Sequence, residues 1–361
     1  MLGLERRDLR LLAACVVLAG AAGALDAHPV GRVVPFVVSA LALAILATLV
    51  GRCVDALGDR LGAGATGVLQ SALGNLPELF VCLFALRAGL DDVVRAAIVG
   101  SVLSNVLLVL GLAFLVGGLK HGTQRFDAAR ARSTSLLMLL AVAGLLVPSL
   151  TFALHTPAAG HEVSFSRVTA VLLLVLFGLS LPAALARSGG GETQTPEQKE
   201  AQDADGDVRE WPLWLSIGLL AVSGLAAAFV SDWFVSALTP AVEALHLSQA
   251  FAGLVIVAIA GNAVENVVGI QLAARNRTDY ALSVILQSPL QIALVLAPVL
   301  VLAAPLVGAS FTLVLSPLLI AVLVLAVVVT TVVVFDAEST WLEGAALIVL
   351  YCLCATAFFW G

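Results

Sequence analysis

The sequence predicts an all-α polytopic membrane protein, and its composition and its long apolar runs carry that prediction. Of 361 residues, 61% are hydrophobic and 12% are charged, and the mean hydropathy is +1.07. A soluble domain is only about half apolar and about one quarter charged. Apolar runs of about 20 residues recur along the chain, and each can cross a hydrocarbon core of roughly 30 Å as a helix.

Charged or Pro/Gly-containing breaks divide the chain into about eleven predicted helices. The first run follows Arg6, Arg7 and Arg10, as in a signal peptide. Because no small-x-small cleavage site with a soluble domain behind it is present, we interpret this run as a retained leading helix. The helices are predicted near residues 11–25, 33–51, 64–86, 93–118, 133–153, 166–186, 212–237, 249–274, 279–305, 311–335 and 341–360.

The positions of lysine and arginine predict the orientation. With a cytoplasmic N-terminus, 14 of the 18 basic residues fall in cytoplasmic segments, where positive charge is favoured. We therefore expect a cytoplasmic N-terminus and an external C-terminus. The short loops and the 16 arginines against 2 lysines favour a bacterial inner membrane. The external basic residues are Arg32, Arg87, Arg95 and Arg167.

One long polar stretch, residues 188–210, separates two halves of the chain. We interpret it as a flexible acidic linker. A regulatory calcium site is the alternative, because Asp203-x-Asp205-x-Asp207 resembles the start of a calcium loop, but the Glu that such a loop requires is missing. The predicted organisation is a leading segment (1–29), a first repeat with helices 2–6 (30–187), the linker (188–210) and a second repeat with helices 7–11 (211–361).

The two halves contain matching phrases. GNLPEL begins at Gly74 and GNAVEN begins at Gly261, and each places a Glu three residues after an Asn. Farther along, GSVLSNVLLVLG (100–111) matches LQSPLQIALVLAP (286–298), which sets Asn105 opposite Gln291. Since five helices per half is an odd number, the halves must be inverted. An inverted repeat around a midplane site is a transporter architecture.

Glu78 and Glu265 are predicted to lie at the same depth. They precede Arg87 and Arg275 by nine and ten residues, which is about 13–15 Å of helix and close to half the hydrocarbon core. Ionised carboxylates are heavily penalised in hydrocarbon, and no Lys or Arg lies near them in sequence at this depth. We therefore expect a mobile compensating charge, a metal cation in one state and protons in another.

The matching phrases offer the ligands of a hard cation. Calcium prefers six to eight oxygen ligands from carboxylates, amides, backbone carbonyls and water. Glu78 and Glu265 would supply charge, and Asn75 and Asn262 would supply amide oxygens about one turn earlier on the same helix face. No intramembrane Cys/His cluster favours zinc or copper. The residues expected to open the helix and expose carbonyls are Gly74, Pro77 and Gly261.

Further polar side chains on the next helix of each half are predicted to line the site. Such residues also commonly hold membrane helices together by hydrogen bonds, so a packing role is the alternative for the serines. The predicted lining residues are Ser101, Ser104, Asn105, Gln287, Ser288 and Gln291.

These segments resemble a known family. GDRLGAGATGVLQSALGNLPEL (58–79) and GLVIVAIAGNAVENVVGI (253–270) are similar to the two alpha-repeats of calcium/proton antiporters, within the calcium/cation antiporter superfamily. The resemblance covers nearly the whole chain and implies that Glu78 and Glu265 bind calcium and protons in turn. Sodium-coupled members tend to have Gly-Thr-Ser in place of Gly-Asn, which favours proton coupling here.

The chain departs from that family at two places. The His that commonly follows the second-repeat Glu is Asn266, and the usual Ser-Ser-x-Gln is Ser288-Pro289-Leu290-Gln291 preceded by Gln287. These departures leave ion selectivity and the proton route open.

The expected function is exchange of cytoplasmic calcium for external protons by alternating access. Sodium/proton or potassium/proton exchange is the main alternative, and a cation channel is another. An integral membrane enzyme is not expected, because no HExxH is present and the polar groups gather at the midplane. The predicted partners are calcium, protons and the lipid bilayer, without a cofactor or nucleic acid, and a homo-oligomer is left open.

Overall fold

The chain folds almost entirely into helices. The computed structural model describes residues 6–61, 73–189 and 211–360, without the side chains at 55, 58–61, 182–189 and 264–265. The predicted acidic linker therefore lies almost wholly outside the described residues. The helices are α1 (Arg6–Ala27), α2 (Val34–Leu61), α3 (Leu76–Arg87), α4 (Asp91–His121), α5 (Ala128–Ala153), α6 (Glu162–Gly189), α7 (Leu213–Ala244), α8 (Gln249–Gly261), α9 (Ala263–Ala274), α10 (Thr278–Val307), α11 (Pro317–Val333) and α12 (Trp341–Phe359).

The predicted class, an all-α polytopic membrane protein, is confirmed. Within the described residues, eight helices are long and apolar enough to cross a membrane, and α8 with α9 adds a ninth if the bent pair is one span. Helix α11 is shorter, at 17 residues. The part of the predicted span 64–86 before residue 73 lies outside the described residues, and the rest contains the turn at Gly74 and Asn75 and then α3. The total of eleven stays a prediction.

Two predicted helices differ from the structure in kind. The span predicted at 249–274 is not one continuous helix, because the chain bends by 62° between α8 and α9, directly after Gly261, where the helix is expected to open. The span predicted at 311–335 begins only at Pro317, since Ser316 caps the helix by accepting a hydrogen bond from Leu319 N–H. Helix α2 continues to Leu61 and α7 continues to Ala244, so the connections after residues 51 and 237 are helical extensions, an alternative that the sequence leaves open.

Helices α4 and α10 run antiparallel. Near the start of α4, Arg95 Nε donates to Thr312 O at 3.4 Å, and Thr312 follows the end of α10. Just after the end of α4, Gln124 Nε2 donates to Asn276 Oδ1 at 3.1 Å, and Asn276 precedes the start of α10. Each end of α4 therefore lies beside the opposite end of α10, which is the relation that an inverted repeat predicts.

Segments that the charge bias assigns to one side of the membrane contact one another. Asp8 of α1 forms an ion pair of 2.5 Å with Arg52 of α2, and Trp211 Nε1 donates to the second Asp8 oxygen at 3.2 Å. A two-stranded antiparallel ribbon, β1 (Gln124–Arg125) with β2 (Glu338–Ser339), joins the loop after α4 to the loop after α11. The helix ends are thus fixed by polar contacts at the bundle surface.

A non-helical segment, residues 309–316, lies between α10 and α11. Buried non-helical backbone in a membrane protein requires partners for its N–H and C=O groups. Ser149 Oγ of α5 donates to Leu313 O at 2.8 Å and accepts from Leu315 N–H at 2.9 Å. Ser166 Oγ of α6 accepts from Leu313 N–H at 3.1 Å. Two buried serines therefore provide hydrogen bonds to backbone groups that would bond within the helix if this segment were helical.

The halves meet in a close helix crossing between α4 and α8. A Cβ at Gly100 would overlap the backbone of Leu254, and a Cβ at Gly253 would overlap the carbonyl of Val93. Small residues let membrane helices approach to backbone contact. The crossing lies next to Ser101, so it fixes the distance between the polar residues of the two halves.

We expect Gly100→Ala to lower the melting temperature of the detergent-solubilised protein. The added methyl has no room, and overpacking of this kind costs about 1–3 kcal/mol. Gly178→Ala in α6 is the matched control, because a Cβ at Gly178 meets open space and Ala is a better helix former by about 1 kcal/mol. Thermal unfolding of both variants tests the crossing, and equal melting temperatures would contradict it.

Candidate functional site

Both Gly-Asn phrases coincide with a break between two helices. Gly74 and Asn75 form a turn between the helical residue Leu73 and α3, and Asn262 forms the turn between α8 and α9. The backbone angles at the breaks nearly coincide, with φ −94° and ψ 16° at Asn75 and φ −102° and ψ 20° at Asn262. Neither Asn side chain caps the helix that it precedes. The two amides are therefore available for contacts with other helices.

The breaks place both glutamates in the first turn of a helix. Glu78 is the third residue of α3, and Glu265 is the third residue of α9. The N-terminal end of a helix carries partial positive charge, which favours a carboxylate within the first turn. Pro77 is the second residue of α3, where its missing N–H disrupts no helical hydrogen bond within α3. A helix start thus offsets part of the cost of an acidic group inside the helix bundle.

Glu78 is buried and in contact with both halves. Only 1% of its surface is exposed. Ser101 Oγ of α4 donates a hydrogen bond to Glu78 Oε1, and Asn262 Nδ2 donates to Ser101 Oγ at 3.0 Å. A Cβ at Gly261 would stand 3.3 Å from Glu78 Cγ, so this glycine allows the second half to approach the carboxylate.

Asn105 connects the remaining polar groups. Its Nδ2 lies 2.9 Å from Ser101 O, 3.4 Å from Asn262 Oδ1 and 3.3 Å from Ser288 Oγ. Ser288 Oγ in turn donates to Asn262 Oδ1 at 3.1 Å. Among the described residues, the buried Asn105 Oδ1 has no hydrogen-bond partner. We refer to Glu78, Ser101, Asn105, Asn262 and Ser288 as the polar cluster.

A second amide pair lies beside the polar cluster. Asn75 Nδ2 is 3.5 Å from Gln291 Oε1, and both side chains are buried. The repeat relates this pair to Asn262 with Asn105. In each pair, the Asn at the break of one half meets the amide on the long helix of the other half. The symmetry of the sequence is therefore visible as two equivalent contacts between the halves.

The structure does not place three of the predicted site residues in the polar cluster. Gln287 is exposed, and no hydrogen bond connects it to the polar cluster within the described residues; it precedes Ser288 by one residue, which turns it about 100° around α10. Ser104 is buried, but its hydroxyl has no hydrogen-bond partner in the part of the chain that the structure describes. The side chain of Glu265 lies outside the described residues, so its place opposite Glu78 stays a prediction.

Three π-helical segments accompany the site, and the sequence did not predict them. They are Ser104–Val109 in α4, Ala252–Val257 in α8 and Ile292–Leu296 in α10. Single-turn π segments often occur at functional sites because they shift side chains out of helical register. Two of them begin at a residue adjacent to Asn105 or Gln291. Pro289 is a signal for the third, since its missing N–H disturbs the helical ladder.

The arrangement can hold a hard cation. Carboxylate, amide and hydroxyl oxygens converge, and these ligands suit calcium or magnesium better than zinc or copper. Within the described residues, no three His, Cys, Asp or Glu side chains form a group that could hold a metal ion. Among the described side chains of the polar cluster, Glu78 can supply charge, and the amide and hydroxyl oxygens can supply neutral ligands.

Comparison with known proteins finds relatives along nearly the whole chain. The family model described as sodium/calcium exchanger protein matches residues 32–185 and 215–360. A Ca(2+)/H(+) antiporter of Aphanothece halophytica is 33% identical over 335 residues, covering 90% of this chain and 89% of the relative. The Ca(2+)/H(+) antiporter ChaA of Bacillus subtilis is 32% identical over 330 residues, covering 90% and 91%.

Solved structures show the same fold. The structure described as native YfkE has a TM-score of 0.79 at 30% identity and covers 97% of this chain and 99% of its own. The crystal structure of the H+/Ca2+ exchanger CAX has a TM-score of 0.75, covering 98% and 92%, and at 14% identity it supports the fold alone.

We expect Asn105→Ala to destabilise the protein. The change removes the donor that contacts Ser101, Asn262 and Ser288, and a buried polar group left without its partner costs about 1–3 kcal/mol. Gln287→Ala is the control on the neighbouring long helix, because Gln287 is exposed. Thermal unfolding in detergent should lower the melting temperature only for Asn105→Ala. A larger fall in melting temperature for Gln287→Ala than for Asn105→Ala would contradict the place of Asn105 in the polar cluster.

Proposed function

Since the chain belongs to the sodium/calcium exchanger protein family, and within it to the calcium/proton antiporters, we propose that it exchanges calcium for protons at one site shared by its halves. The site is built on Glu78 and Glu265 near the middle of the bilayer, with Asn75 and Asn262 beside them. The chain is a multi-pass membrane transporter, and the proposal concerns the site, its direction and its mechanism.

The burial of Glu78 among neutral oxygen-bearing side chains is the observation that carries the proposal. It is 1% exposed, and it receives the hydroxyl of Ser101, which is itself bound by Asn262 of the other half. A carboxylate in this position can be neutralised by a proton or by a cation. The amide and hydroxyl oxygens around it are suitable calcium ligands. A proton and a calcium ion can therefore both bind at Glu78.

Competition for the two carboxylates would couple the ion flows. Calcium requires ionised oxygens, whereas a proton on either Glu removes the charge that holds calcium, so the two ions exclude each other. A site that is empty and doubly ionised is costly to carry across a dry barrier. Occupied states would therefore reorient readily and the empty state would not. This difference produces exchange and suppresses leak.

The helix breaks supply the flexible points for alternating access. At Asn75 and Asn262 the backbone leaves the helical geometry, so rotation there would change which side of each Glu is open without unwinding α4 or α10. The charge bias supports a cytoplasmic N-terminus. We infer that the physiological direction is extrusion of calcium across a bacterial plasma membrane, driven by proton entry.

We expect Glu78→Gln and Glu265→Gln each to abolish calcium uptake driven by a pH gradient in inside-out vesicles. Glutamine keeps the size of the side chain but neither carries charge nor releases a proton. Glu243→Gln, an exposed position at the end of α7, is the control for the same chemical change and should retain uptake. Substantial calcium-driven proton movement in either site variant would overturn the shared site.

We also expect the uptake to saturate with calcium and to release protons in fixed proportion. Calcium should discharge a preformed pH gradient at concentrations at which sodium and potassium do not, and manganese measures how strictly the oxygens select for size. Proton release by sodium or potassium without calcium would assign the site to monovalent exchange. A calcium flux that does not saturate and carries no protons would instead indicate a channel.

A further inference from the structure

The side chain of Gln124 forms a buried bridge between two helices of the proposed site. Gln124 lies in β1, just after α4, and is 2% exposed. Its Nε2 donates to Ala273 O at 3.3 Å and to Asn276 Oδ1 at 3.1 Å. Both acceptors belong to the C-terminal end of α9 and the turn after it. One amide therefore connects the C-terminal end of α4 to the C-terminal end of α9. Helix α4 carries Ser101 and Asn105 near its middle, and α9 carries Glu265 in its first turn.

The surroundings of this amide are shaped to hold it. A Cβ at Gly117, in the last turns of α4, would overlap the Gln124 amide oxygen. Asn276 adopts a left-handed conformation with φ +61°, which asparagine tolerates better than most residues. A glycine thus leaves space on one side of the amide, and an asparagine presents an acceptor on the other.

Helix α9 packs against α10 on one side, where a Cβ at Gly269 would overlap the side chain of Ile285, and its other side is exposed. It has 12 residues and is separated from α8 by the bend of 62°. Val267 and Val268 are 53% and 39% exposed, so one face of the helix packs against nothing in the described part of the chain. Two further contacts reach the same turn: a ring nitrogen of His121 is 3.1 Å from Ala274 O, and Asp127 N–H donates to Asp279 Oδ1 at 2.6 Å.

The first half shows no equivalent bridge within the described residues. Helix α3 ends at Arg87, and the turn to α4 contains the backbone hydrogen bonds of Ala88, Gly89 and Leu90. In that part of the chain, no side chain donates to the last carbonyls of α3. The Gln124 contact therefore joins the first half to α9 of the second half without a counterpart at α3 among the described residues, and it does not follow from the repeat.

We propose that Gln124 is a positioning residue for the transport site, whose amide fixes α9 against α4 and thereby sets the affinity for calcium. The proposal rests on the proposed function, since it takes Glu265 on α9 as a calcium ligand. A rigid rod of three turns transmits a displacement of its C-terminal end to its first turn. Loss of the bridge should therefore weaken calcium binding more than it slows reorientation.

The first test replaces the amide without changing the length of the side chain. For Gln124→Met we expect the KM for calcium in inside-out vesicles to rise by about tenfold, the lower end of the range for residues that support metal ligands. The maximal rate and the melting temperature should change little. Gln271→Met, an exposed position on α9 itself, is the matched control and should keep the KM of the parent protein.

Two further variants reach the same contact from its other sides. Asn276→Gly removes the acceptor and keeps the left-handed backbone. Gly117→Ala leaves the sequence at position 124 unchanged, but its added methyl displaces the Gln124 amide. Each should raise the KM. Since alanine favours the helix more than glycine does, Gly117→Ala should raise the KM for calcium without lowering the melting temperature. A purely structural role of Gln124 would give no such separation.

The double variant Gln124→Met with Asn276→Gly decides whether the two residues act through one contact. The KM should then be no higher than in the more affected single variant. An unchanged KM in either single variant, an additive rise in the double variant, or a loss of maximal rate with constant KM would each overturn the proposal. Uptake that survives in Glu78→Gln and Glu265→Gln would instead overturn the proposed function, so the two failures are distinguishable.

Discussion

The cost of holding a carboxylate inside an apolar helix bundle is the constraint on which the rest of the structure depends. Glu78 is almost fully buried, and an ionised group in such a place must be compensated by dipoles, hydrogen bonds or a bound cation. The break before α3 supplies a helix start, Ser101 supplies a hydroxyl, and the amides around them supply further dipoles. The neighbouring long helix carries a π segment at the same level. These features are difficult to explain as packing devices, because an apolar side chain at position 78 would require none of them.

Neither half can form the polar cluster alone. Glu78 and Ser101 come from the first half, whereas Asn262 and Ser288 come from the second, and Asn105 contacts both. The crossing of Gly100 and Gly253 brings the backbones of the halves into contact one residue from Ser101. The amide pairs Asn75–Gln291 and Asn105–Asn262 then repeat the same contact in both directions. Inverted halves with complementary amides thus produce a polar cluster whose members cannot be separated without separating the halves.

The sequence predicts the parts of this site that depend on composition and spacing, and it fails where the chain leaves helical periodicity. Glu78 and the paired Asn residues are visible from their repetition in apolar surroundings. The opening of the helix at Gly261 is expected from the glycine, but the bend of 62° is not, because an apolar run has the same composition whether or not it bends. Gln287 was expected to line the site since it is polar and near Ser288, yet one residue of helical rotation turns it outwards. Gln124 carries no local signal, because its partners lie about 150 residues away.

The two halves break their helices by different means, and this limits their equivalence. In the first half, Pro77 has no N–H to give to the carbonyl four residues earlier, so Leu73 O lacks that helical donor. The second half has no proline at the break. There Asn262 approaches Ala258 O with both its backbone N–H, at 3.2 Å, and its side-chain Nδ2, at 3.0 Å, and such side-chain bonding competes with the helical ladder. The first break therefore removes one helical donor through a proline, whereas the second keeps the helical bond to Ala258 O and adds a side-chain donor to it. The turns before Glu78 and Glu265 are accordingly built from different contacts, although their backbone angles nearly coincide.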